Sequence, residues 1–572
     1  MVRRLFELAI VIVLSLLLLT FIMSLWTAEW RIPFYYSSGD AFASQAVFKS
    51  IIDNGTYLQN PMLGAPGQLE YYDFPRTDHV QVLIGRILSW FSRDYALLIN
   101  VFFVLTFPLT AAIAFLVLRS FGISFRAALV CSLLYSFIPY HFVRGQAHFF
   151  LNCYFFIPLS IAICLWICRN EPLITRNAKG RLRPTGRSIA ATLFCVLIAS
   201  SGTYYTFFTC FLILISGLYA CAQTRRWTSF ASASFFLVVL FCVALVNLLP
   251  AIRYVQREGK NPVVARRSFA EAEFYALKIT GLLLPGNGHR FLPLNRMMRK
   301  YPPIMMKENY AAYLGVVGVA GFLILTAWLF FPTTRLNGQE LCGSLPVLNG
   351  SLLLLGLTGG LGPLFAFVLF NQFRGYNRVS IFLAFFALFA VALVVDRIRQ
   401  QISGSSFKGA VAVILPFTIL AIGLWDQTIP AYVARKPKQL SSFRADAAFI
   451  AQIETKLSPG SMIFQLPYHP FPEVEPEHRM KDYDHLRGYL HSTKLRWSYG
   501  AMKGRKWDSW QRETAALPLP QLIQTLRSAG FRGLYFDRYG YSGRDQTENE
   551  LQERLGQPAA VSEDGRLLFF LL

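Results

Sequence analysis

Asp40 is the earliest residue in this chain whose type and setting suit chemistry. It follows Gly39 at the start of a helical pattern running from Ala41 to Asp53, and Tyr35, Tyr36 and Ser38 precede it. Two roles fit: a helix cap, for which Asp is a preferred residue, or a general base that takes the proton of a hydroxyl. The aromatic approach through Tyr35 and Tyr36 is of the kind that stacks sugar rings, which favours the base. Asp73, in Tyr71-Tyr72-Asp73-Phe74-Pro75, is a later carboxylate of the same loop. It could orient hydroxyls, share a metal with His79, or sit in a solvated turn. Asp78 reads as the cap of a second helix that ends at Phe91. Two carboxylates and one histidine at unfixed spacing are a weak metal signal. No metal ligand is therefore assigned, and a divalent metal is the one cofactor left open.

A second group supplies positive charge. His141, Arg144 and His148 fall at i, i+3 and i+7, which one helix face would gather. Arg374 and Arg378 are four residues apart and could clamp a phosphate, because guanidinium groups bind phosphate oxygens in pairs. The plain alternative is anchoring at the membrane edge, with the charged tip reaching water. His289 and the pair Lys307-Glu308 complete the set. A base beside cations that hold a phosphate is what displacement of a phosphate leaving group requires.

Membrane helices must position these residues. The chain has 572 residues, a mean hydropathy of +0.40, 54% hydrophobic and 15% aromatic residues, which lies outside the soluble globular range. At roughly 20 apolar residues per crossing, it holds about eleven spans. They fall near 5–26, 96–118, 127–140, 149–168, 188–201, 203–222, 229–250, 311–331, 346–369, 379–395 and 409–425. The first runs on to Trp26 and Trp30 with no small-residue cleavage site, so it reads as a retained anchor.

Sixteen Lys and Arg, from Arg3 through the 169–187 segment to Lys408, occupy short loops on one side, against three (Arg144, Arg374 and Arg378) on the other. The positive-inside rule then places the amino terminus in the cytoplasm and, for an odd number of spans, the carboxyl terminus outside. Asp40, Asp73, Arg144, His148, His289, Lys307, Glu308, Arg374 and Arg378 all map to the outer edge under that topology. The nine cysteines lie in or beside spans, apart from Cys342 in an inner loop, so no structural disulfide is expected. The net charge of +23 would point to nucleic acid in a soluble protein. Here part of it is topological charge on the inner face, and no nucleic-acid partner is expected.

Three outer segments stand apart from the spans. The 27–94 loop is expected to lay two amphipathic helices on the membrane surface. The 251–310 loop carries eleven cations against four anions, a net +7, around the turn Pro285-Gly286-Asn287-Gly288-His289. Such a loop should attract lipid phosphates at about 1 kcal/mol per cation near an anionic surface. The tail, 426–572, alternates helix and strand signals: helices at 443–457, 519–529 and 548–555, strands at 461–466, 530–537 and 567–572. That order reads as a small α/β domain with a partly parallel sheet. Within it Trp497, Tyr499, Trp507 and Trp510 lie among Lys503, Arg505 and Lys506. They suit either a glycan or anionic acceptor or packing at the membrane surface, where Trp is enriched.

One span, an outer loop with an early acid (Gly39-Asp40), surface helices, many further spans and a soluble outer tail resemble the GT-C superfamily of membrane glycosyltransferases. The resemblance covers the architecture of residues 1–425 as a membrane module, with 426–572 as an extracytoplasmic α/β domain. It implies a polytopic α-helical membrane protein and a sugar donor carried on polyprenyl phosphate or diphosphate. It also implies that Asp40, as the early loop acid, is the catalytic base or a metal ligand. Several branches carry a close acidic pair in that loop, whereas this sequence has Asp40 alone before Asp53, Glu70, Asp73 and Asp78. On this reading Asp40 and Asp73 are catalytic. Tyr36, His141, Arg144, His148, His289, Lys307, Glu308, Arg374 and Arg378 then bind substrate. The acceptor is an exterior glycan, lipid or protein, and the setting a bacterial inner membrane.

Two other classes of membrane protein share parts of this pattern. A lipid or glycan transporter would show ionisable residues deep in its spans and paired halves, and the sequence has few such charges and no visible half-repeat. A phosphoglycerol- or phosphoethanolamine-type transferase would need a Ser or Thr nucleophile among clustered metal ligands. Asp482, Asp484, His485 and His491 cluster in the tail, which is short for such a domain.

Overall fold

The computed structural model describes residues 2–176, 182–301, 307–331, 339–368, 371–402, 406–542 and 546–572. The protein is an integral membrane protein built on apolar helices. Among the described residues six are long and apolar enough to cross a bilayer: Val2–Met23, Tyr95–Ser120, Phe125–Arg144, Thr203–Thr224, Phe230–Glu258 and Tyr376–Gln401. A seventh crossing results if Ile414–Gln427 and Pro430–Lys456, which meet at 85°, are taken together. Shorter apolar helices at Ile157–Cys168, Gly186–Ala199, Gly315–Phe330 and Leu341–Gly356 fall where the sequence pattern placed further spans.

The helix Ser380–Ile402 is central, and every residue from Ile381 to Ala392 is buried. A helix apolar on all faces belongs inside. It meets Gly315–Phe330 at Gly321, where a Cβ would collide with the Ala387 carbonyl oxygen. Only glycine permits that approach, as in the small-residue contacts typical of membrane helices.

The 27–94 loop does not lie on the membrane surface. Its helix Asp40–Asn54 is buried at every position from Ala41 to Ile52. Glycines in the positive-φ region bracket it, Gly39 at +84° and Gly55 at +71°. One side packs on Tyr95–Ser120 and His79–Leu88, the other on Leu486–His491 from the tail. Asn100, inside Tyr95–Ser120, anchors the loop start. Its Oδ1 accepts from Phe34 N at 3.0 Å and Gln146 Nε2 at 2.7 Å, and its Nδ2 donates to the Trp30 and Ile32 carbonyls.

The tail forms a five-stranded mixed sheet. Met462–Leu466 lies parallel to both Arg496–Trp497 and Phe531–Asp537; Leu567–Leu571 runs antiparallel to Phe531–Asp537, and Ala560–Val561 closes the edge. Alternation along the strands builds two cores. Phe464, Leu534, Phe536, Leu568 and Phe570 pack under the helix Leu519–Ser528. Ile463, Tyr535, Leu567 and Phe569 face the other way, into a core continuous with Phe42, Phe48 and Phe102 of the membrane module. The Trp497 cluster makes this junction. Trp497 is fully buried, its amide donates to the Met62 carbonyl, and its carbonyl accepts from Ala65 N. Trp497 and Trp507 therefore pack against the first loop.

Tyr36 also belongs to the junction, which corrects its reading as a substrate platform. Its hydroxyl donates to Asp446 Oδ2 at 2.6 Å and lies 2.9 Å from His491 Nε2, and Asp446 also accepts from Arg487. Asp446→Ala would take from buried Arg487 its closest carboxylate, a loss of about 3–5 kcal/mol. Thermal unfolding in matched detergent should show a clearly lower midpoint, and an unchanged midpoint would show that the contact contributes nothing.

Candidate active site

A cavity of about 450 Å³ opens where the first loop, the basic loop, the helix ends and the tail converge. That is the size range of small-molecule sites. Asp40, Asp73, Arg76, Asp78, His148, Tyr204, Arg267, Arg374, Arg378, Glu473 and Tyr483 are among the residues lining it.

Asp40 is the first residue of its helix, and the cap position is held by Gly39, which has no side chain to cap with. Its carboxylate is 61% exposed, with Oδ2 3.2 Å from His148 Nε2. Burial pushes its pKa up, but the hydrogen bond and charge of His148, helped by Arg76 and Arg144, outweigh that and hold it below the ordinary carboxylate value. Asp40 is thus an ionised, open carboxylate with a fixed neighbour. The position at the helix start adds the favourable end of the helix dipole.

His148 reaches Asp40 because the helix Pro139–Arg144 ends at Gly145. This break also separates His141 from His148, so the expected single face does not form. His141 stacks on Phe107 with centroids 3.7 Å apart and lies 2.8 Å from Thr106 Oγ1, fully buried away from the cavity. Arg144 is buried and donates to Glu308 at 3.0 Å. Burial raises Glu308, while the charges of Arg144, Arg378 and His148 bring it below its usual value.

Asp73 lines the cavity, but its oxygens are engaged. Arg505 Nη2 and Nε donate to it at 2.6 and 2.7 Å, and Asn261 Nδ2 donates at 3.1 Å. It ties the first loop to the tail, which does not suit the catalytic role expected of it. Asp78 occupies the cap position of His79–Leu88 without a capping bond, and burial pushes it up to about 6 against the pull of Arg76.

Arg374 is held by two carboxylates, Glu271 at 2.7 Å and Glu473 at 3.1 Å. Arg378 lies over the Tyr204 ring, 4.0 Å from its centroid, so the two arginines do not form a matched clamp. His289 lies elsewhere. It pairs with Asp426 at 3.1 Å beside a second cavity of about 440 Å³ lined mainly by Tyr301, Tyr310, Tyr313 and apolar residues. The Lys307 side chain falls outside the described residues.

Among the described residues no three His, Cys, Asp or Glu converge as metal ligands. Asp40 faces His148 alone, and Asp73 is taken by Arg505, so these residues do not fit a divalent metal site.

No protein-family model matches the chain, and no curated protein matches it in sequence. Its structure is similar to that of ArnT from Cupriavidus metallidurans bound to undecaprenyl phosphate. The identity is 12%, the TM-score 0.52, and the match covers 98% of this chain and 97% of ArnT. The chain has the GT-C fold. The archaeal oligosaccharyltransferase AglB from Archaeoglobus fulgidus is more distant, at 11% identity and a TM-score of 0.46, over 94% of this chain and 70% of that one. In this GT-C fold the early loop acid, Asp40, lines the cavity and Tyr36 does not.

Three cavity residues carried little or no sequence signal. Arg76 sits between Asp73 and Asp78, where a cation enclosed by two carboxylates could have drawn notice. Glu473 and Tyr483 arrive from the tail, and nothing local marks them. The Asp73–Arg505 contact is directly testable. Asp73→Asn and Arg505→Ala should each lose about 1.5–3 kcal/mol, and the double variant no more than the larger single loss, as for coupled partners. Additive losses in unfolding experiments would show that the two act separately.

Proposed function

We propose that the protein is a membrane glycosyltransferase. It moves a sugar from a polyprenyl-phosphate or diphosphate carrier to an extracytoplasmic glycan, lipid or protein, with Asp40 as general base. The observation that carries this is an open, ionised Asp40 in a cavity shared with Arg76 and Arg378, on a GT-C fold. The undecaprenyl phosphate held by ArnT, a protein of the same fold, supports the class of carrier.

On this reading the acceptor hydroxyl gives its proton to Asp40, and its oxygen bonds the anomeric carbon of the sugar. The bond from that carbon to the phosphate oxygen breaks, and the electron pair leaves with the lipid phosphate. Arg76 and Arg378 stabilise the growing phosphate charge. A carboxylate held below its ordinary value is a weak base, so the proton moves late, once the new bond has acidified the hydroxyl. The cavity faces the outer side of a bacterial inner membrane, with the amino terminus in the cytoplasm and the tail outside.

Asp40→Asn should reduce transfer about 10²–10⁴-fold while leaving folding and carrier binding intact, as measured with purified enzyme and lipid-linked sugar. Retained transfer would demote Asp40 to a structural residue. The pH profile gives a second check. Asp40 must be ionised to act, and His148 holds its pKa below the ordinary carboxylate value, so the acid limb of kcat/KM should lie on the acid side of the usual carboxylate range. His148→Ala removes the hydrogen bond that lowers it, so the limb should move to higher pH. A limb that stays in place would separate His148 from the base.

A further inference from the structure

Four guanidinium groups line the transfer cavity, and they are not equivalent. Arg267 and Arg374 are already neutralised. Glu473 accepts from Arg267 at 2.8 Å and from Arg374 at 3.1 Å, and Glu271 accepts from Arg374 at 2.7 Å. Arg76 and Arg378 instead lie against rings, Arg76 over Phe150 at 5.2 Å and Arg378 over Tyr204 at 4.0 Å, and Arg76 also interacts with the Tyr71 hydroxyl and the Asp78 carboxyl. Among the described residues neither forms a salt bridge, and Arg378 Nε is buried with no hydrogen-bond partner.

Glu473 is fixed from several directions at once. Besides the two arginines, its amide donates to the Tyr483 hydroxyl at 3.1 Å and its carbonyl accepts from Lys503 Nζ at 2.7 Å. Its backbone sits at φ +54°, and that of Tyr483 at +68°. Non-glycine residues hold such angles only where their surroundings over-determine them, and such sites cluster at ligand clamps.

We propose that Glu473 is a positioning residue that sets where the carrier phosphate binds. By occupying Arg267 and Arg374, it leaves Arg76 and Arg378 as the open guanidinium pair, beside Asp40. The tail thereby takes part in substrate register through a single carboxylate. The inference rests on the glycosyltransferase reading and deepens it.

The test is binding of undecaprenyl phosphate to the full-length protein in nanodiscs, without sugar or acceptor. In the wild-type background, Arg76→Ala and Arg378→Ala should each weaken binding about tenfold or more, the worth of a charge-assisted hydrogen bond. Arg374→Ala should leave it within about twofold, well under one such bond. Glu473→Gln should tighten binding by freeing Arg267, since Arg374 keeps Glu271, and adding Arg267→Ala should reverse the gain. Glu473→Asp keeps the charge and should behave as wild type. If Glu473→Gln leaves affinity unchanged, or if Arg374→Ala weakens wild-type binding as much as Arg76→Ala, the inference is overturned while the glycosyltransferase reading stands. If the wild type does not bind undecaprenyl phosphate, both fall. Should Glu473→Gln unfold, the single arginine variants and Glu473→Asp decide the matter.

Discussion

Lys49 and Asp53 pair at 2.5 Å on a helix buried almost throughout, and the placement of Asp40 depends on it. A helix with Ser44, Gln45, Lys49 and Ser50 along its buried length can sit dry only if its polar groups find partners, and of these side chains only Gln45 Oε1 is left without one among the described residues. Ser44 donates to the Ala147 carbonyl, Gln45 to Tyr35 O, and Ser50 to Thr56 O. Lys49 pairs with Asp53 and lies over the Tyr489 ring, whose hydroxyl donates to Asp53. Those bonds tie the helix to both modules, and its first residue emerges at the cavity as the one open carboxylate of its turn.

The same economy of charge runs through the site. Burying an ion is costly unless a partner compensates it, and most charged groups around the cavity are paired: Arg144 with Glu308, Arg505 with Asp73, Arg267 and Arg374 with Glu473. What stays available is therefore informative. Asp40 has His148, whose ring fixes the carboxylate without filling it, and Arg76 and Arg378 have aromatic faces. A cavity in which structural charges are spent on each other and a few are left open is preorganised for a substrate that brings its own negative charge.

The tail is no appendage in this arrangement. One face of its sheet has a private core, while the other shares a core with the first loop, and the links Tyr36–Asp446–Arg487 and Asp73–Arg505 cross the same boundary. Glu473 and Tyr483 complete the cavity wall from this side. The cavity geometry thus requires both modules together.

The sequence by itself determined the membrane class, the run of apolar helices, the order of elements in the tail and the place of Asp40 at a helix start. These follow from local rules: apolar length, alternation along strands, and an acid after a glycine at a helix start. Arg378 and His148 could also be picked out from the sequence, and both line the cavity. Tertiary structure decided which charges are free. Tyr36, His141, Asp73 and Arg374 have suitable types, yet each is consumed by a partner distant in sequence, and His289 serves another cavity. Arg76 and Glu473 gain their importance for the converse reason. A side chain's availability depends on what neutralises it, and here the neutralising groups are brought in by contacts between segments as far apart as Asp73 and Arg505. No local pattern records such a pairing.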